Sequence, residues 1–427
     1  MFVQDEQLTQ WDAALPSLRG PARLDCLLNL AWHLRQRDPV RARALAREAC
    51  TLFSALPEAE SRRLEARCML IEGEAQWLAG DLTGARALAD QAWIEFDEQQ
   101  NALGCADAHW LRAWIETDRG NAAQGDVELA AAAACARRAN DAARIDIFDA
   151  AAALFAAFCD LHRADADWGK RFDADAPGDN LAVAGWINDY LGTSAFQASD
   201  FARAISLFMR TYDAAIATGQ VRRAINLATN IGNSFTSLNA HHAALEWMQR
   251  GLELARHTGW PMSMGLALMQ TAETLRQLGQ REAALELLQE ALATLAPMSS
   301  SRAYAVALEY KGDLAIDTGD HETALDSFTR LEALGEALKQ AEFKSSARRG
   351  QAHALSHLGR AQEALLAADA ALVLAREQGD AYNQIAALKV LAEVHSQHGL
   401  PVPDDIDAPN AALHYLELAL TSAATID

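Results

Sequence analysis

A beat of forty residues constrains this chain more than any other feature. Three copies stand out: Ala272, Gly279, Ala284, Leu288, Ala291; then Gly312, Gly319, Ala324, Phe328, Leu331; then Ala352, Gly359, Ala364, Ala368, Ala371. The same positions run back through Ala244, Ala204, a degenerate Asp165, Gly125 and Ala85 to Ala42. Forwards, Gly399 keeps the beat, and its partner helix is delayed by the insertion Leu400–Pro409. The count is ten units of two helices. A period of this length marks one supersecondary unit stacked on copies of itself, because no single copy can bury its apolar face alone. The small residue sits mid-helix where a neighbour crosses closely, and the Gly past the helix end accepts the positive φ of the turn.

Composition agrees with helices. Ala, Leu, Glu, Gln and Arg dominate, and alternating runs of β-branched residues are absent, so an all-α fold follows. The 427 residues are 51% hydrophobic and 22% charged with 10 prolines, enough to bury a large core. At roughly 100–200 residues per domain the length alone suggests two to four domains, whereas the beat explains it as one array.

The pattern resembles the tetratricopeptide repeat (TPR) in its longer form, over essentially the whole chain. The matching residues are Gly73, Gly80, Ala85 and Ala92 in the second unit, and Gly312, Gly319, Ala324 and Phe328 in the eighth. The resemblance implies an all-α, right-handed α-solenoid of about ten helix-turn-helix TPR-like units. The fourth unit departs from it, with Asp160 and Asp165 where Gly and Ala recur, followed by a polar run to Arg171. The expected organisation is therefore N-terminal units over 1–165, a divergent linker or hinge over 166–180 and C-terminal units over 181–427, or one continuous solenoid.

The last unit, with Leu400-Pro401-Val402-Pro403 and Ala408-Pro409 before Asn410-Ala411-Ala412-Leu413, is similar to the end of the repeat arm in bacterial proteins that continue into a GGDEF diguanylate cyclase domain. On that resemblance the chain is a sensory or regulatory arm of a signalling protein, cut before an output domain beyond residue 427. The alternatives are a free-standing TPR scaffold or adaptor, a peptide-sensing regulator arm, or a chain whose end docks on itself or on a homodimer mate.

Chemistry is sparse. With 37 basic against 58 acidic residues the net charge is −21, which repels phosphate backbones and anionic headgroups, so neither nucleic acid nor membrane is the expected partner. The six cysteines (Cys26, Cys50, Cys68, Cys105, Cys135 and Cys159) lack a CxxC and a leader at Met1, and read as reduced, mostly buried thiols of a cytoplasmic protein. The apolar stretch from Ala150 to Cys159 is far short of the ~20 residues of a membrane span. No phosphate cradle, nucleophile elbow, HExxH or kinase set occurs, so this chain is expected to be no enzyme and to carry no cofactor. His353 and His357 are paired at i,i+4, with His395 and His398 one unit later. No carboxylate or cysteine at ligand spacing completes a metal set around them, so they are assigned to a groove or to solvent and no metal is expected.

A partner belongs in the concave groove that stacked helix pairs leave, lined by the first helix of each pair. In the TPR family the groove positions lie six and three residues before the mid-helix small residue and one and four after it. Carried onto this chain, with neighbours on the same face, they give Trp110, Trp114, Trp186 and Asp189, then Asn226, Thr229, Asn230 and Asn233. Gln270, Glu273, Arg276, Glu309, Tyr310, Asp313, Arg349 and His353 follow. Tryptophans here either anchor an apolar group or pack between adjacent units. Asparagine amides both donate to and accept from an extended peptide backbone, or else face solvent. Arg276 and Arg349 either clamp a carboxylate or offset groove acids. The expected partner is a peptide or protein.

Overall fold

The computed structural model describes residues 1–159, 161–172, 178–403, 406 and 408–424. Among them all regular structure is helical, with twenty-one α-helices and three short 3-10 turns. After an opening helix, Asp5–Ala14, the remaining twenty pair into ten hairpins, from Gly20–Leu34 with Pro39–Cys50 to Ala381–His398 with Ala411–Ala423. The chain is an all-α solenoid of about ten such units. The fourth is the irregular one: its second helix, Leu161–Trp168, has 8 residues, against the 17 of Phe201–Ala217 in the next unit. Asp160 and 173–177 of the expected linker lie outside the described residues, as do 404, 405 and 407 of the late insertion.

The turns reveal a half-beat that the forty-residue pattern hides. Gly80, Gln100, Gly120 and Asn140, then Ser199, Gly219, Asn239, Gly259 and Gly279, then Gly319, Lys339, Gly359, Gly379 and Gly399 all hold φ between 53° and 91°. They come every twenty residues, so both helices of a unit end alike, in a left-handed residue that returns the chain. The sequence pattern registered mainly the glycines after first helices. Gln100 and Lys339 at the alternate positions, and Ser199 after a first helix, carry the same conformation without glycine's freedom.

Small residues mark where helices cross. A Cβ on Gly312 would lie 2.6 Å from Phe328 Cζ, and one on Gly350 would also strike that ring. Phe328, fully buried in the helix His321–Leu338, is thus clamped between glycines of Arg302–Thr318 and Ala341–His357. Gly192 against Phe208 and Gly232 against Met248 repeat the arrangement, with Cβ separations of 2.8 and 2.6 Å.

First helices of successive units lie side by side, so residues about one beat apart meet. Arg67 Nη1 donates to Asp107 Oδ2 at 2.5 Å across 40 positions, Trp77 Nε1 to Asp118 Oδ2 at 2.7 Å across 41, and Ser356 Oγ to Gln397 Oε1 at 2.7 Å across 41.

The chain divides into two compact units, Met1–Gln270 and Thr271–Asp427, and the 166–180 segment falls inside the first. Within that first unit the array curls back on its own beginning. Arg37 Nη2 donates to Ala217 O at 3.1 Å, the Arg222 backbone N–H donates to Gln36 Oε1 at 3.3 Å, and Arg222 Nη2 donates to Asp118 Oδ1 at 2.7 Å. The second unit buries Phe328, Leu331 and Phe343 in one cluster and Leu372, Leu388, Leu391 and Val394 in another. Among the described residues no helix is long and apolar enough to cross a membrane. The five described cysteines are free of disulfides; Cys26, Cys105 and Cys135 are buried, while Cys50 is exposed, and the Cys159 side chain lies outside the described set.

Candidate functional site

The curl of the first unit encloses a cavity of about 350 Å³. Trp110, Trp114, Trp186, Asp189, Asn226, Thr229, Asn230, Asn233 and Gln270 all line it. One wall is aromatic. Trp110 and Trp114 meet edge-on at 5.3 Å between ring centroids, Trp110 meets Trp186 at 5.3 Å, and Trp114 meets Phe155 at 5.3 Å. Trp110 and Trp186 are nonetheless buried, at 9% and 3% exposure, so they present ring edges while most of their area packs between units. Trp77 is buried too, its indole N–H committed to Asp118.

Arginine caps the aromatics. The Arg223 guanidinium lies 3.7 Å from the Trp186 ring centroid and pairs with Asp189 at 2.9 Å; Arg222 lies 4.5 Å from the Trp77 centroid. Burial pushes the Asp189 carboxyl up, against the pull of Arg223, and burial likewise pushes the Arg223 guanidinium down. The pair is therefore costly to hold in place, and it keeps both charges beside the cavity. Neither arginine figured in the groove offsets, although Arg222, Asn226, Asn230 and Asn233 fall at i, i+4, i+8 and i+11 of the helix Val221–Ser237. Extending the face by one turn would have found Arg222.

That face is the distinctive part. Asn226, Asn230 and Asn233 are half-buried, and among the described residues their side-chain amides make no hydrogen bond. Each amide carries two donors and an acceptor that a ligand in the cavity can meet. Asp107, Met269 and Phe196, also on first helices of their units, do not line the cavity. Asp107 is 2% exposed and locked between Arg67 and Arg144, whose Nε donates at 2.9 Å. Met269 is buried, and Phe196 packs on Phe201 with centroids 5.4 Å apart.

The second unit has a more polar concavity of about 680 Å³, where Glu273, Arg276, Glu309, Tyr310, Asp313, Arg349 and His353 lie together. Its arginines offset acids. Arg276 grips Glu273 through two bonds of 2.8 and 2.9 Å and also bonds Asp317; Arg349 donates to Ser346 at 3.1 Å, and Ser346 donates to Glu309. Burial pushes the Asp313 carboxyl up to about 7, with Glu309 adding to the rise and Arg349 opposing it.

The histidine reading needs correction. A carboxylate does complete the set: Glu393 Oε1 lies 3.7 Å from His357 Nε2, and Glu393 Oε2 lies 4.0 Å from His353 Nε2. His395 and His398 do not join it; His395 is buried beside Tyr415, and His398 Nε2 pairs with Ser356 Oγ at 3.0 Å. Ligand spacing within one helix is the wrong ruler here. Glu393 stands one forty-residue beat after His353, the separation at which neighbouring first helices touch.

No family model matches this chain, and no curated protein matches it. Solved structures do. The Rap protein complexed with Competence and Sporulation Factor is similar at 14% identity over 94% of this chain and 97% of that one, with a TM-score of 0.51. The fold is a TPR-like helical repeat. Lesser likenesses are the Rap conjugation gene regulator of plasmid pLS20 in complex with a Phr peptide, at 12% identity over 94% and 95% with a TM-score of 0.47, and the kinesin light chain TPR-like repeats of Podosopora anserina, at 16% over 48% and 96% with 0.39.

Proposed function

We propose that this chain is a non-catalytic receptor that takes an extended peptide, free or as a segment of a protein, into the cavity of its first unit. The observation that carries this reading is the row Asn226, Asn230 and Asn233: three half-buried amides on one helical face, aimed at a concavity and without internal hydrogen bonds. A peptide in extended conformation offers alternating N–H and C=O groups that such amides satisfy in either direction, which holds a backbone without demanding a particular sequence. The edges of Trp110, Trp114 and Trp186 with Phe155 supply the apolar subsite for a side chain, and Arg222 and Arg223 set the charge of the rim.

The Rap protein similar in fold was solved with a factor bound, which is consistent with a binding role for a chain of this architecture. The narrower reading, an arm that drives a diguanylate cyclase, rests on the LPxP and AP insertion with the helix after it and gains no support from these neighbours. A peptide-binding scaffold or sensing arm is the better reading.

The test uses a peptide selected by display against the full chain. Replacing Asn226, Asn230 and Asn233 together by Ala is expected to leave helicity and melting nearly intact and to weaken that peptide at least tenfold, about 1.4 kcal/mol. Unchanged affinity would place the peptide on another surface and end this reading.

A further inference from the structure

We propose that His353, His357 and Glu393 bind one divalent transition-metal ion, with the two imidazole Nε2 atoms and the Glu393 carboxylate as its protein ligands. Two helices build the site. His353 and His357 are one turn apart on Ala341–His357, and Glu393 comes from Ala381–His398 alongside. Their ligand atoms all lie within 4.8 Å of one another. Bonds of about 2.0–2.2 Å in a tetrahedral shell put ligand atoms roughly 3.4 Å apart, so side-chain rotation of an ångström or less closes the present 3.7 and 4.0 Å gaps around an ion.

A second observation is independent of that spacing. His353 makes no hydrogen bond among the described residues: its Nδ1 is buried without a partner, and its Nε2 stops 4.0 Å from Glu393. The Nε2 edge that faces Glu393 therefore has no protein partner within hydrogen-bond distance, which leaves its lone pair to an ion while Nδ1 carries the ring proton. His321 stacks flat on His357, with centroids 4.4 Å apart and planes 9° apart, and so fixes the orientation of the second ligand.

The donor set selects the ion. Two imidazoles and one carboxylate suit Zn²⁺ and its first-row neighbours, whereas Mg²⁺ and Ca²⁺ demand oxygen. Three protein ligands leave a fourth position for water or for an anionic group entering the cavity that His353 also lines. The ion would also tie the ninth first helix to the tenth.

The experiment is titration of the chelator-stripped full chain with ZnCl₂ by calorimetry, and with CoCl₂ by visible absorption. One saturable equivalent is expected, unaffected by excess MgCl₂, with a cobalt spectrum that lacks a thiolate charge-transfer band. His357→Gln and Glu393→Gln should each weaken Zn²⁺ at least tenfold while circular dichroism stays unchanged; His398→Gln, outside the triad, should not. Absence of a saturable site, equal affinity in the wild type and both triad variants, or a thiolate band placing the ion on the cysteines would each overturn the assignment.

Discussion

Asp313 sits on the wall of the second concavity with its carboxyl pushed up to about 7 by burial, from an ordinary 3.8. An acid raised in the folded state favours folding only while protonated. Its contribution is full below its unfolded value and is lost as pH rises through the folded one, so stability falls between about pH 4 and pH 7. Asp313→Asn removes that titration. The variant should match the wild type near pH 4 and exceed it by about 2–4 kcal/mol at pH 8. Urea unfolding at the two pH values checks this, and a difference that does not grow with pH would mean that the carboxyl is hydrated rather than buried.

At the scale of helices, the recurring device is contact across one beat. Asp107 on Ala102–Asp118 receives Arg67 from Glu58–Leu78 at 2.5 Å and Arg144 from Ala142–Cys159 at 2.9 Å, so one carboxylate joins three successive units. Buried beneath two guanidiniums, it is held well below the usual carboxylate range, the Arg144 and Arg67 charges outweighing desolvation. Asp107→Asn would leave the half-buried Arg67 without its carboxylate and Arg144 with Asp141 alone, and is expected to cost about 3–5 kcal/mol, read as a lower urea midpoint. A loss under about 1 kcal/mol would show that the arginines re-pair or hydrate. The same geometry explains what the sequence did and did not disclose. Alanine and glycine spacing made the helix pairs legible, and the groove offsets named residues that share two concavities. Glu393 and the Arg67–Asp107–Arg144 row stayed hidden because a residue's partners lie about forty positions away, where no local motif points. The left-handed turns at Gln100, Ser199 and Lys339 were hidden for another reason: tertiary packing overrides residue preference there, and nothing in those side chains announces it.

At the scale of the molecule, the two compact units divide the chemistry unevenly. All ten tryptophans, Trp11 to Trp260, belong to the first unit, and Trp110, Trp114 and Trp186 are clustered on its cavity wall. Four of the five lysines, Lys311, Lys339, Lys344 and Lys389, belong to the second. Indole emission therefore reports on the first unit alone. A peptide entering that cavity should shift the emission maximum, whereas Zn²⁺ on His353, His357 and Glu393 should leave it unmoved; an emission change on adding Zn²⁺ that follows the calorimetric isotherm would break this separation. Amine-reactive dyes, conversely, will mark mainly the second unit. The aromatic wall thus acts as a built-in optical probe, and an acceptor dye on the lysines would let energy transfer measure the distance between the two units without any engineered label site.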